Sequence, residues 1–121
     1  MCPSKTLVFL ILSIVVIDHL PVSSSTIRNL KETQWCVISL SATDEQMQAN
    51  IDWGCSQGKV DCRPIRPGGA CFEPNNLRNH ASFVMNEYYQ SHHRTEEACD
   101  FNGTGIYIIT DPSYGDCVYV S

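Results

Sequence analysis

Positive charge is scarce in this chain, where eight Lys and Arg stand against thirteen Asp and Glu for a formal net charge of -5. Such a balance offers no basic patch to grip nucleic acid or an anionic membrane, and it repels acidic polysaccharides, so uncharged partners are favoured. A long hydrophobic run is missing too. Residues 6–17 are apolar apart from Thr6 and Ser13, but a membrane helix needs about 20 such residues. Large aliphatic and phenyl side chains are thin beyond that run: Leu, Ile, Val and Phe supply 18 of the 96 residues from Thr26 onward. A core that sparse sits near the level at which a chain fails to fold unaided. Also absent are an internal repeat, an interdomain linker, a nucleophile elbow and a glycine loop suited to cradling phosphate.

What is present begins with an address label. Lys5 precedes the apolar run, Pro21 breaks it, and Val22, Ser23, Ser24 and Ser25 supply the small residues a signal peptidase accepts. Residues 1–25 are therefore expected to be a signal peptide, residues 26–34 a short leader and residues 35–121 the single folded domain, secreted to the extracellular space or cell wall. Cleavage discards Cys2 and leaves six cysteines: Cys36, Cys55, Cys62, Cys71, Cys99 and Cys117. An even number in an oxidising compartment implies three bridges and no free thiol, with the pairing open among fifteen possibilities.

Periodicity predicts an α+β domain of two main helices and a small antiparallel sheet. Trp35, Val37 and Ser39 alternate with Cys36, Ile38 and Leu40, as in a short strand covered on both faces. Thr43 and Gln46 form a capping-box pair with Asp44 and Glu45 in the first turn, so a helix starts there, burying Met47, Ile51 and Cys55 beside Asn50 and ending at Gly54. The Gly- and Pro-rich segment 56–70 reads as a loop. A second helix is predicted from Pro74 and Asn75 to about Gln90, with Leu77, Ala81, Val84, Met85 and Tyr88 as its core stripe. Residues 106–109 are rich in strand formers, 111–115 form a turn by composition, and 117–120 are expected to return as the partner strand.

In this order the motifs resemble a known family. Trp35-Cys36-Val37, Asp52-Trp53-Gly54-Cys55, Asp61-Cys62, Ile65-Arg66-Pro67-Gly68-Gly69-Ala70-Cys71-Phe72-Glu73-Pro74-Asn75, His80-Ala81-Ser82-Phe83, Asn86-Glu87-Tyr88-Tyr89-Gln90, Cys99-Asp100-Phe101 and Asp111-Pro112-Ser113-Tyr114-Gly115 together are similar to the plant carbohydrate-binding module of family 43, also called the X-eight domain. The resemblance implies a stand-alone, non-catalytic module that binds β-1,3-glucan such as callose or laminarin. It implies the pairing Cys36–Cys99, Cys55–Cys62 and Cys71–Cys117. The loop around Gly58-Lys59-Val60-Asp61 is one residue longer than is usual in the family. The chain ends four residues past Cys117, so no lipid anchor is expected, and a soluble monomer is.

A neutral glucan offers the apolar C–H face of each ring and a rim of hydroxyls, which aromatic rings and amide or carboxylate groups match. Phe83, Asn86, Tyr89 and Gln90 fall off the core stripe of the second helix and are expected to face outward or into a groove. Tyr88, on the stripe, is read chiefly as core, as is Trp53; Tyr107 and Tyr114 could extend a platform, or simply cover the small sheet. His80, His92 and His93 invite a metal reading, but oxidised cysteines cannot ligate and histidines at a frayed helix end are usually solvated, so no metal and no cofactor are expected. Asn102-Gly103-Thr104 is a glycosylation sequon in a loop. A hydrolase needs two carboxylates across a cleft; Asp44 and Glu45 serve a helix start and Glu96 and Glu97 lie in a polar loop, so no enzyme is expected. The alternative function is an extracellular module that docks on another protein, such as a wall enzyme or receptor.

Overall fold

The computed structural model describes residues 32–121; the expected signal peptide and most of the expected leader lie outside the described residues. Thr33–Ser121 form one compact unit. Its elements are β1 (Trp35–Ile38), α1 (Asp44–Cys55), a 3-10 turn (Arg63–Ile65), α2 (Leu77–Ser91), two further 3-10 turns (Glu97–Cys99 and Phe101–Gly103) and β2 (Gly105–Ile108). This is the α+β architecture expected, with two helices and a two-stranded antiparallel sheet.

Local chemistry explains the helix starts. The Thr43 hydroxyl accepts from Gln46 N at 3.1 Å and the Gln46 side chain accepts from Thr43 N at 2.9 Å, a closed capping box. α2 begins later than expected: Asn76, not Pro74 or Asn75, is the cap, its Oδ1 accepting from Asn79 N at 2.8 Å. Gly54 also has a different role from the one expected. α1 runs through it to Cys55 with Ser56 as cap, and a Cβ at Gly54 would lie 2.3 Å from Val84 Cγ1. Glycine is there because the two helices touch, not because the helix ends.

β2 pairs with β1, Trp35 opposite Ile108 and Ile38 opposite Gly105; the expected hairpin between 106–109 and 117–120 does not form. Residues 117–120 are drawn elsewhere, Cys117 to Cys71 and the Val120 carbonyl to Asn86 Nδ2 at 2.8 Å. The three bridges are Cys36–Cys99, Cys55–Cys62 and Cys71–Cys117. They suit an oxidising, extracellular setting. In the chain-entropy model the two that span 63 and 46 residues contribute about 4 kcal/mol each, before any non-additivity.

α2 is the centre of the domain, packed against α1 on one side and β1 on the other. Two apolar clusters meet along it: one joins Phe83 and Val84 to Trp35, Ile65, Cys71 and Tyr119, the other joins Ala81, Met85 and Tyr89 to Ile38, Met47 and Cys99. A helix with two such neighbours buries far more of its circumference than a single stripe. The Trp35 Nε1 donor, inside the first cluster, has no hydrogen-bond partner among the described residues.

Candidate functional site

The double burial of α2 overturns the expected outward placement of three residues. Phe83 is 2% exposed and Asn86 and Tyr89 are each 1% exposed. Phe83 packs edge-on against Tyr119, ring centroids 5.5 Å apart, and Tyr89 lies 5.6 Å from the Tyr107 ring on β2. Asn86 is a polar rivet: Oδ1 accepts from Cys36 N at 3.1 Å and from Gln90 Nε2 at 3.2 Å, while Nδ2 donates to the Val120 carbonyl. Gln90 is half-buried, its amide also donating to the Gln34 carbonyl at 2.9 Å. Phe83, Asn86 and Tyr89 offer a sugar no free face, while Gln90 keeps part of its side chain exposed.

Trp53 departs from expectation in the opposite sense, being 47% exposed rather than in the core. It stands on α1 at the wall of a pocket of about 450 Å³, within the range of about 300–1,000 Å³ common for small-ligand sites. Ala49 and Asn50 from α1 and Tyr88 from α2 line it with Trp53, together with Glu97, Asp100, Phe101 and Asn102 from the segment of 3-10 turns. Trp53, Tyr88 and Phe101 meet edge to face, Trp53 with ring centroids 4.7 Å from Tyr88 and 5.8 Å from Phe101, an arrangement favoured by the ring quadrupoles. Behind Tyr88 the His92 imidazole stacks at 3.8 Å, and its Nδ1 lies 2.9 Å from the Tyr88 carbonyl. Tyr88 is thus the one residue of the expected site that reaches the pocket wall. Tyr107 and Tyr114 are exposed but do not line it; the Tyr114 hydroxyl donates to the Glu73 carbonyl at 2.7 Å and braces the entry to α2.

Phe101 is placed by an unusual turn. Phe101, Asn102 and Gly103 have φ of 44°, 54° and 78°, three successive left-handed residues. For residues other than glycine this region costs about 1–3 kcal/mol each and persists only where the surroundings enforce it. Here the Asp100 carbonyl accepts from the N–H groups of Gly103, Thr104 and Gly105 at 2.9, 3.1 and 3.2 Å. Beneath the turn the buried Thr104 hydroxyl donates to the Phe101 carbonyl at 2.6 Å and accepts from Asn50 Nδ2 at 2.9 Å. Gly105 is needed because a Cβ would fall 1.7 Å from the Cys99 carbonyl oxygen. The Cys36–Cys99 bridge ties the whole turn to β1.

The pocket lining therefore combines apolar ring surface with carboxylate and amide side chains. His80 does not contribute: its Nε2 lies 2.7 Å from the Phe72 carbonyl and its ring stacks on Phe72. Among the described residues no three His, Cys, Asp or Glu side chains are grouped to hold a metal ion. Trp53 and Phe101 were missed as site residues because a three-ring corner joins two helices and a turn distant in sequence; the Asp-Trp-Gly-Cys and Cys-Asp-Phe motifs were visible, their meeting was not.

A family model described as the X8 domain matches residues 34–106, and this chain belongs to that family. Among its relatives is a glucan endo-1,3-beta-glucosidase of Triticum aestivum, 56% identical over 88 residues that cover 73% of this chain and 19% of that protein. The major pollen allergen Ole e 10 of Olea europaea is 52% identical over 88 residues, covering 73% of this chain and 72% of the allergen. A glucan endo-1,3-beta-D-glucosidase of Olea europaea is 51% identical over 87 residues, again only 19% of its length. The chain is thus homologous to a short segment of the glucosidases and to most of the allergen.

Proposed function

We propose that this domain is a secreted, non-catalytic, monomeric module that binds β-1,3-glucan of the callose and laminarin type in the plant cell wall. The observation that carries the reading is the Trp53–Tyr88–Phe101 corner, with Glu97, Asp100 and Asn102 on its rim, in a chain related to segments of glucan endo-1,3-beta-glucosidases. The rings stack on the C–H faces of glucosyl units, while the rim accepts and donates to hydroxyls. Held by its buried hydrogen bonds, the Phe101 turn presents its ring without further ordering, which lowers the entropic cost of binding. The ligand is uncharged, so affinity depends little on salt.

Hydrolysis is disfavoured by the placement of the rim carboxylates. Glu97 and Asp100 are three residues apart on one 3-10 turn, joined by an Asp100 N to Glu97 carbonyl bond of 3.2 Å. Side chains at that spacing eclipse on one face, whereas a glycosidase sets its two carboxyls on either side of the scissile bond. Residues 1–25 act as the secretion signal in this reading.

A laminarin titration followed residue by residue in NMR tests the proposal. Signals of the Trp53 indole, Tyr88 and Phe101 move saturably, and those of Tyr107 and Tyr114 stay in place. Saturable shifts confined to another surface, or none at all, would refute it. A second reading, docking on an extracellular protein, is favoured by the exposed apolar side chains of Leu40, Ile109 and Val118, none of which lines the pocket; loss of a cross-linked protein partner on changing these three to Ser, with laminarin binding absent, would support it.

A further inference from the structure

We infer that Asn102 carries an N-linked glycan that covers the mouth of the aromatic pocket, so that glycosylation closes the site. The inference rests on the reading of the pocket as the glucan site and adds a means of regulating it. Asn102 is exposed, opens the Asn102-Gly103-Thr104 sequon and lines the pocket itself. Its neighbour Phe101 is one of the three ring walls. A sugar attached at the Asn102 amide is tethered within a residue of an aromatic corner suited to a pyranose face, and such a tether gives it a high effective concentration there. The chain's own glycan and an external glucan then compete for one space.

The same geometry dates the modification. The second sequon residue, Thr104, is 6% exposed, and its hydroxyl has both roles engaged inside the fold, donating to the Phe101 carbonyl and accepting from Asn50 Nδ2. An enzyme that must read asparagine and hydroxyl together reaches them only before this turn closes, hence before Cys99 pairs with Cys36. In the transfer a bond forms between the Asn102 side-chain nitrogen and the anomeric carbon of a lipid-pyrophosphate-linked oligosaccharide. The anomeric C–O bond breaks, the pyrophosphate leaves with the electron pair, and the amide nitrogen loses one proton. Occupancy is set once, during folding, so the secreted protein partitions into a covered and an open form that do not interconvert.

The test compares the full chain of unchanged sequence made in two hosts, a secreting eukaryotic cell and a bacterial periplasm that attaches no such glycan, with near-UV circular dichroism to establish equal folding. Peptide mapping finds glycan at Asn102 in the first. Without laminarin, the Trp53 indole signal differs between the two forms. A glycan over the mouth nine-tenths of the time weakens laminarin binding about ten-fold. A secreted product in which no molecule carries glycan at Asn102, or an unmoved Trp53 signal with equal laminarin affinities in the glycosylated fraction, overturns the inference while leaving the glucan reading in place. Failure of the bare form to bind laminarin overturns that reading instead, and the Trp53 signal still decides whether the glycan covers the pocket.

Discussion

Phe83 and Tyr89 on one side of α2, and Tyr88 with its neighbours Trp53 and Phe101 on the other, are aromatic residues with opposite employments. The first pair is buried between helix and sheet, flanking the Asn86 amide that ties β1 to the end of the chain. The second group is packed edge to face but left open to a pocket. Residue type does not distinguish them; what does is whether neighbours enclose the ring or leave one side of it open. In a domain with so little aliphatic side chain, aromatic rings act as mortar where they are enclosed and as a contact surface where one side is left open. Mutations can therefore separate the two: an interior ring should govern stability alone, and a pocket ring binding alone.

The largest expected effect is at the interior. Tyr89→Ala removes a fully buried ring and should destabilise the domain by about 4 kcal/mol, read as a lowered midpoint in urea, with laminarin affinity of the remaining folded fraction unchanged. If Tyr89→Ala left stability intact and abolished binding, the division drawn between the two sides of α2 would be reversed. The helix contact itself comes next. Gly54→Ala forces a methyl against Val84, a side chain that is stiff at χ1 and wholly buried, and should cost about 1–3 kcal/mol. Because the clash is with one methyl group, Gly54→Ala combined with Val84→Ala should cost less than the sum of the two single changes; simple additivity would show that the helices are not in contact there.

At the pocket the readout changes. Trp53→Ala should weaken laminarin binding by about 2 kcal/mol, near thirty-fold, as truncation of an aromatic anchor does. Its effect on the urea midpoint should be far smaller than that of Tyr89→Ala, since Trp53 is nearly half exposed in the folded state. A Trp53→Ala protein that unfolds as readily as Tyr89→Ala would erase the contrast.

Much of this arrangement was legible in the residues. The capping box at Thr43, the core stripe of α2 and the α+β class follow from short-range physics, and the three cysteine pairs followed from resemblance to a family. What could not be read was everything set by the number of neighbours. Periodicity assigns one buried stripe per helix, so Phe83, Asn86 and Tyr89 were placed outside; only the position of β1 across α2 puts them inside. Gly54 carries the same lesson, since a glycine near a helix end looks like a terminator until the second helix is seen to touch it. The partner of β2 was missed for a related reason: the turn at 101–105 and the Cys36–Cys99 bridge deliver it to β1, and nothing local in 106–109 specifies that choice. Phe101 had a visible motif but an invisible conformation, because its left-handed backbone depends on Asn50, half the chain away.

Glu87 belongs to neither side of the comparison and gives its finest test. It lies on α2 between Asn86, the interior rivet, and Tyr88, the pocket wall, and is half-buried without lining the pocket. Desolvation, with repulsion from Asp61 as a lesser cause, raises its pKa above the usual carboxylate range. A raised folded-state pKa means that the protonated form suits the fold, so the benefit is complete below the unfolded-state pKa and is lost as pH rises through the folded-state value. At pH 7 the ionised carboxylate is therefore a small burden, and Glu87→Gln should raise the thermal midpoint there, by an amount within the about 0.5 kcal/mol typical of changes outside the core. At pH 3, where Glu87 is protonated in both states, the substitution should leave the midpoint unchanged. Laminarin affinity should not respond at either pH, because the pocket is built from the adjacent residue and not from this one. An equal stabilisation at both pH values would show that ionisation of Glu87 is not its cause, and a change in affinity would extend the binding surface one residue further along α2.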